Sequence, residues 1–115
     1  MDVPVPGPDL KDVDLGDVLR ALADPHRRAV IATLAADPDG VERPCSTLKM
    51  GVARSTATHH WKVLREAGLT NHRDVGNGAY VRLRRDEFER RFPGVLGPIV
   101  ALSTPAAILG PAPKG

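Results

Sequence analysis

The chain has 115 residues, a formal net charge of +2 and one cysteine. That length holds one domain with a small core, and a lone Cys45 excludes an intrachain disulfide and suits a reducing compartment. The start, MDVPVPGPDLKDVD, lacks the apolar stretch of a signal peptide, and no apolar run is long enough to cross a bilayer. A cytoplasmic protein with no membrane partner is therefore expected. Trp61, Tyr80, Phe88 and Phe92 are all the aromatics, so core volume must come from Leu, Val, Ile and Ala. Charge is unevenly spread. Residues 1–53 carry six Lys/Arg against nine Asp/Glu, a net −3, whereas residues 54–91 carry nine against five, a net +4.

In chain order, residues 1–13 read as a disordered arm, because Pro4, Pro6, Gly7 and Pro8 obstruct regular structure. Asp14 can cap a helix whose Leu15, Val18, Leu19 and Leu22 follow helical spacing. Asp24-Pro25 restarts a second helix with an N-cap acid and a first-turn proline. Val30, Ile31, Leu34 and Ala35 supply its buried stripe, and residues 37–40, Asp-Pro-Asp-Gly, stop it in a turn. Residues 46–50 can form one short helix, and Gly51 supplies the tight turn into a long one.

That long helix is the most informative segment. On a helical wheel Ala57, Trp61, Leu64 and Gly68 share one side, with His60 beside them. Ser55, His59, Lys62 and Glu66 occupy the other, flanked by Thr56 and Thr58. Short hydroxyls, an imidazole and cations near a helix start can reach base edges and phosphates, the task of the second helix of a helix-turn-helix in the DNA major groove. Past Gly68 the period becomes alternating: residues 70–75 and 79–84 flank Gly76-Asn77-Gly78, a β-hairpin signal. Asp86 can cap a last helix through Phe88 and Phe92, which Pro93-Gly94 ends. Leu96, Ile99, Val100 and Leu102 extend the apolar surface, and residues 103–115 read as a flexible tail. The expected fold is mainly α (α+β), a winged helix-turn-helix with five helices and a two-stranded hairpin wing over residues 14–102.

Four segments resemble the ArsR/SmtB family of bacterial winged-helix transcriptional regulators. They are Ala21-Leu-Ala-Asp-Pro-His-Arg-Arg28, the helix Ser55-Thr-Ala-Thr-His-His60 with Lys62-Val-Leu-Arg-Glu-Ala-Gly-Leu69, the hairpin residues Arg73, Gly76 and Tyr80-Val-Arg-Leu83, and Asp86-Glu-Phe88. The resemblance implies a homodimer joined through the first and last helices, with the Ser55 helix in the major groove and the wing beside the minor groove. On that reading the DNA-binding residues are Arg54, Ser55, Thr56, Thr58, His59, Lys62, Arg73, Asn77 and Arg82. The dimer interface is Leu15, Val18, Leu19, Leu22, Phe88, Leu96 and Ile99. The function implied is a regulator, a repressor by preference, on an inverted-repeat double-stranded DNA operator, with an effector open. The family's familiar metal sites need a Cys-x-Cys pair or histidines on the last helix. Here those regions read Glu42-Arg-Pro-Cys-Ser-Thr47 and Asp86-Glu-Phe-Glu-Arg-Arg-Phe92, so neither can be assembled. The usual hydroxyl N-cap before the long helix is replaced by Ala53, and capping could pass to Ser55.

The remaining polar residues have plainer readings. His60 fits a hydrogen-bonded core histidine and His59 a groove contact; being adjacent, the two cannot readily share a metal. His26 and His72 default to the surface, Cys45 to a small buried hydrophobe, and Arg84 to the wing with Arg73 and Arg82. No catalytic constellation can be placed, so no enzyme is expected. Two alternatives stay open: a zinc- or nickel-responsive regulator with an atypical histidine site, and a winged-helix protein–protein interaction module. No other cofactor is indicated.

Overall fold

The computed structural model describes residues 2–38 and 40–103; the expected tail, beyond Ser103, lies outside them. Helix α1 (Leu15–Ala23) begins where Asp14 Oδ2 accepts from the Gly16 amide at 2.9 Å, and α2 (Pro25–Ala36) where Asp24 Oδ1 accepts from the His26 and Arg27 amides at 2.8 and 3.1 Å. Both caps follow the sequence expectation. The turn between these helices is closed by arginines. Arg28 Nη1 donates to the Leu22 and Ala23 carbonyls, each at 2.8 Å, while Arg27 Nε donates to Ala21 at 2.7 Å. The carbonyls orphaned at the end of α1 thus find donors.

The short helix expected over residues 46–50 is a three-residue 3-10 turn, Cys45–Thr47. Leu48 and Met50 are both buried. Their i, i+2 spacing asks for extended chain, and a five-residue segment gains too few hydrogen bonds to offset helix nucleation. Gly51, at φ +70°, makes the anticipated turn. The long helix α3 (Arg54–Glu66) then runs to Gly68, whose φ of +80° suits glycine alone; a Cβ there would also lie 2.3 Å from Leu10 Cδ2. Helix α4 (Arg85–Arg91) starts one residue before Asp86 rather than after it, so Asp86 occupies the first turn and is not the cap. Beyond Pro93-Gly94 the chain forms α5 (Leu96–Ala101). Among the described residues there are five α-helices, but the last stands in place of the short one expected before the long helix.

The hairpin is present as β3 (Thr70–Asp74) and β4 (Ala79–Leu83), yet the sheet has four antiparallel strands in the order β1-β3-β4-β2. Strand β2 (Arg43–Pro44) pairs with β4. Strand β1 (Val3–Val5) pairs with β3 in the register Val3↔Asp74, Pro4↔Arg73, Val5↔His72. The arm read as disordered is therefore ordered from Asp2 onward. Arg84 Nη1 donates to the Pro8 carbonyl at 2.7 Å, Arg91 donates to the Leu10 and Val13 carbonyls at 3.1 Å, and Leu10 and Val13 are buried.

The core joins Val18 and Leu22 of α1, Val30, Ile31 and Leu34 of α2, Leu64 of α3, Val81 of β4 and Phe88 of α4. This corrects the expected dimer surface. Val18, Leu22, Phe88 and Leu96 are all buried within one chain, whereas Leu15 and Leu19 are 42% and 51% exposed and Ile99 is half-buried. Over about two turns of α1, Val18 and Leu22 face the core while Leu15 and Leu19 face outward.

His72 also departs from its surface reading. It is buried on β3, with Nε2 3.1 Å from Thr70 Oγ1 and the Trp61 ring edge-on at 5.4 Å. Burial lowers its pKa to about 4. The unfolded chain, titrating near the ordinary 6.5, binds a proton that the fold excludes. Stability present above about pH 6.5 is therefore lost as pH falls toward 4, by up to about 3 kcal/mol. The melting temperature is expected to drop between pH 7.5 and pH 5, and His72→Gln to flatten that drop. A wild-type melting temperature indifferent to pH across this range would contradict the assignment.

Candidate nucleic-acid interface

Helix α3 is held from beneath. His60 and Leu64 are buried, and Ala57, Trp61 and Val63 pack against the core. Its outer face carries Arg54, Ser55, Thr56, Thr58, His59 and Lys62, all exposed. The division between inward and outward residues is the one the helical wheel requires. Ala53 provides no side-chain cap, and Ser55 lies inside the first turn without replacing it. The first amides of α3 are thus left without a side-chain acceptor, at the positive end of the helix dipole. Lys62 reaches Glu66 at 3.9 Å, an exposed i, i+4 pair worth only a few tenths of a kcal/mol.

The wing is less available than its composition suggests. Asn77 is exposed at the hairpin tip, where Asp74 Oδ1 accepts from the Gly76 amide at 2.8 Å and fixes the turn. Arg73, however, lies over the Tyr80 ring at 4.9 Å and donates to both oxygens of Glu42 at 3.1 and 3.2 Å, with Asp2 as a further partner. The bond to Glu42 raises its pKa further. Arg82 lies 3.7 Å from Glu87. Arg84 does not belong to the wing surface at all. It is 6% exposed, bonded to Pro8 and, at 2.8 Å, to Glu87, whose carboxyl that bond holds below its ordinary pKa. Arg85 donates to the Ala35 and Asp37 carbonyls at the end of α2. The basic excess of residues 54–91 is thus largely structural, and the cations left pointing outward on α3 are Arg54 and Lys62.

The sequence reading missed Glu42 and Asp2 as partners of Arg73, since both are distant in the chain. It also missed a cluster behind α3. Arg27 Nη1 donates to His60 Nδ1 at 2.9 Å, and the His26 ring stacks on His60 with centroids 5.7 Å apart. Burial, reinforced by Arg27, lowers the His60 pKa despite Asp24 nearby. His26 is half-buried here, not at the surface. Cys45, half-buried against the core, has its thiol pKa raised by burial to about 11 and offers no reactive thiolate. The metal sites implied by the resemblance do not fit: α4 brings carboxylates but no histidine, and Cys45 has no partner thiol.

Neutralising the two acids that hold Arg73 should free it for phosphate. Asp2→Asn with Glu42→Gln is expected to tighten binding to duplex DNA several-fold at low salt and to steepen the dependence of log K on log[salt] by nearly one charge per chain. Unchanged affinity and slope in fluorescence-anisotropy titrations would show that Arg73 does not meet DNA.

Comparison with known proteins agrees with this architecture. Residues 22–73, from the end of α1 through most of β3, match a helix-turn-helix domain family. Over 81 residues, 69% of this chain and 79% of the relative, the sequence is 41% identical to a Bacillus subtilis (strain 168) protein described as the uncharacterized HTH-type transcriptional regulator YceK. Among the described residues no helix is long and apolar enough to cross a membrane. With an outward polar face on α3, a hairpin beside it and a relative of this similarity, the chain belongs to the family of HTH-type transcriptional regulators.

Proposed function

We propose that the protein is a sequence-specific DNA-binding regulator of the ArsR/SmtB type, a repressor that acts as a homodimer on an inverted-repeat operator. The observation that carries this reading is the two-sided build of α3. Its inner face is locked by burial of His60 and Leu64, while Arg54, Ser55, Thr56, Thr58, His59 and Lys62 stand exposed on the other. A rigid helix with short donors and acceptors near its start reads base edges without first having to be ordered. Arg54 and Lys62 supply phosphate contacts, and Asn77 reaches the backbone or minor groove from the wing tip. Arg73 and Arg82 join them once their carboxylates are displaced.

The supporting experiment selects a DNA site with the purified protein and then compares variants. His59→Ala is expected to leave the melting temperature nearly unchanged and to cost about 1–3 kcal/mol in discrimination between the selected site and random duplex. Thr56→Ala and Thr58→Ala act in the same direction, more weakly. Discrimination untouched by all three would move base reading away from α3, and absence of salt-dependent DNA binding would favour the protein-interaction module.

Two-fold symmetry of the operator requires a second chain. Leu15 and Leu19, four residues apart and both well exposed, form a ridge on α1 that one chain leaves uncovered. Ile99 and Leu102 of α5 add apolar surface, Leu102 being 87% exposed. Leu19→Glu should convert a dimer at micromolar concentration into a folded monomer by sedimentation velocity. A monomeric wild type, or a variant that still dimerises, would remove α1 from the interface.

A further inference from the structure

The cluster behind α3 brings together three ligand-bearing side chains that the DNA reading does not use. We propose that Asp24, His26 and His60 form a binding site for a borderline-soft divalent metal ion, typified by zinc, that joins the start of α2 to α3. One ligand atom from each residue falls within 4.8 Å of the other two. His26 Nδ1 lies 3.5 Å and His60 Nε2 4.0 Å from Asp24 Oδ1. Ligand atoms held about 2.0–2.1 Å from one tetrahedral zinc ion sit roughly 3.4 Å apart. Closing separations of 3.5, 4.0 and at most 4.8 Å to that value, by side-chain shifts of about an ångström, would complete a three-ligand set and leave a fourth position for water or another ligand. Two imidazoles and a carboxylate suit zinc, cobalt or nickel better than calcium or magnesium, which take all-oxygen ligand sets.

The supports of these ligands are rigid. Asp24 is the N-cap of α2, and the two amides that donate to Oδ1 hold the carboxylate in place beside the histidines.

One interaction opposes the ion, and it gives the site its consequence. Arg27 donates to His60 Nδ1, so in the metal-free protein the neutral ring carries its proton on Nε2. An ion bound at Nε2 requires that proton to pass to Nδ1, where it faces another donor, and Arg27 Nη1 must swing away. The remaining Arg27 bonds, to Ala21 at 2.7 Å and Arg20 at 3.2 Å, keep it on α1. Metal uptake thus exchanges an arginine link between α2 and α3 for a metal link between the same two helices. The guanidinium charge makes the affinity modest.

The test uses the full chain, stripped with chelator and titrated with zinc against a chromophoric competitor, with cobalt as a visible-absorption probe of tetrahedral geometry. One ion per chain is expected. His26→Ala and His60→Gln should each weaken binding by about tenfold or more, while His59→Ala, His72→Gln and Cys45→Ala leave it unchanged. His26→Ala removes only a half-buried side chain and keeps the backbone cap, so its melting temperature in chelator should match wild type. Should His60→Gln fail to fold, His26→Ala decides alone. Absence of stoichiometric uptake, or uptake indifferent to His26→Ala, would overturn the proposal.

Discussion

The placement of α3 depends on one side chain, Arg27. Its guanidinium donates to two carbonyls at the end of α1 and to the buried ring of His60 in the middle of α3, while its own amide is capped by Asp24. Three helices meet through four polar contacts of one residue. All but the Arg20 contact are partly buried, so loss of such a partner would strand a donor or acceptor out of water, a penalty larger than the net value of the bond. Apolar packing brings α1, α2 and α3 together, but hydrophobic contact is non-directional and tolerates sliding. The arginine fork does not tolerate it. The outward face of α3 is presented at a fixed angle because its inward face is fastened at this point.

Arginine does comparable work elsewhere. Arg28 closes α1, Arg85 closes α2, and Arg84 and Arg91 hold the carbonyls of the N-terminal segment. A planar group with five donors can satisfy several orphan carbonyls at once, which lysine cannot do. With eleven prolines and eleven glycines the chain has many segments whose carbonyls no regular ladder would satisfy, and these side chains take that role. The positive balance of residues 54–91 is therefore a poor measure of charge presented to a polyanion. Most of it is turned inward or matched by Glu42, Asp2 and Glu87.

What was legible in the sequence was local. The caps at Asp14 and Asp24, the turn at Gly51, the two faces of α3 and the hairpin around Asn77 follow from spacing and from residues that set φ or accept an amide. The larger departures involve distant partners. Prolines near the N-terminus argue against helix and against central strands, yet an edge strand tolerates them; the residues that order this segment lie 64 to 81 positions away. His26 and His72 default to the surface because nothing in their neighbourhoods announces the His60 ring or the Trp61 edge. Leucines of α1 form one apolar stripe in sequence, and only the fold divides it into Val18 and Leu22 beneath and Leu15 and Leu19 outside.

Strand β1 has a consequence for how the molecule behaves in a crowd. A hairpin wing must protrude, and a protruding sheet exposes an edge whose unpaired amides can recruit another chain. Here the outer edge of β3 is covered by Val3–Val5. Proline has no amide hydrogen, so the ladder donors of this strand fall to Val3 and Val5, and Pro4 turns a donor-less side outward, with Pro6 continuing the alternation. The sheet is terminated by its own first residues, and growth by strand addition stops there. At this edge the backbone offers no ladder to another chain, and only side chains are presented there.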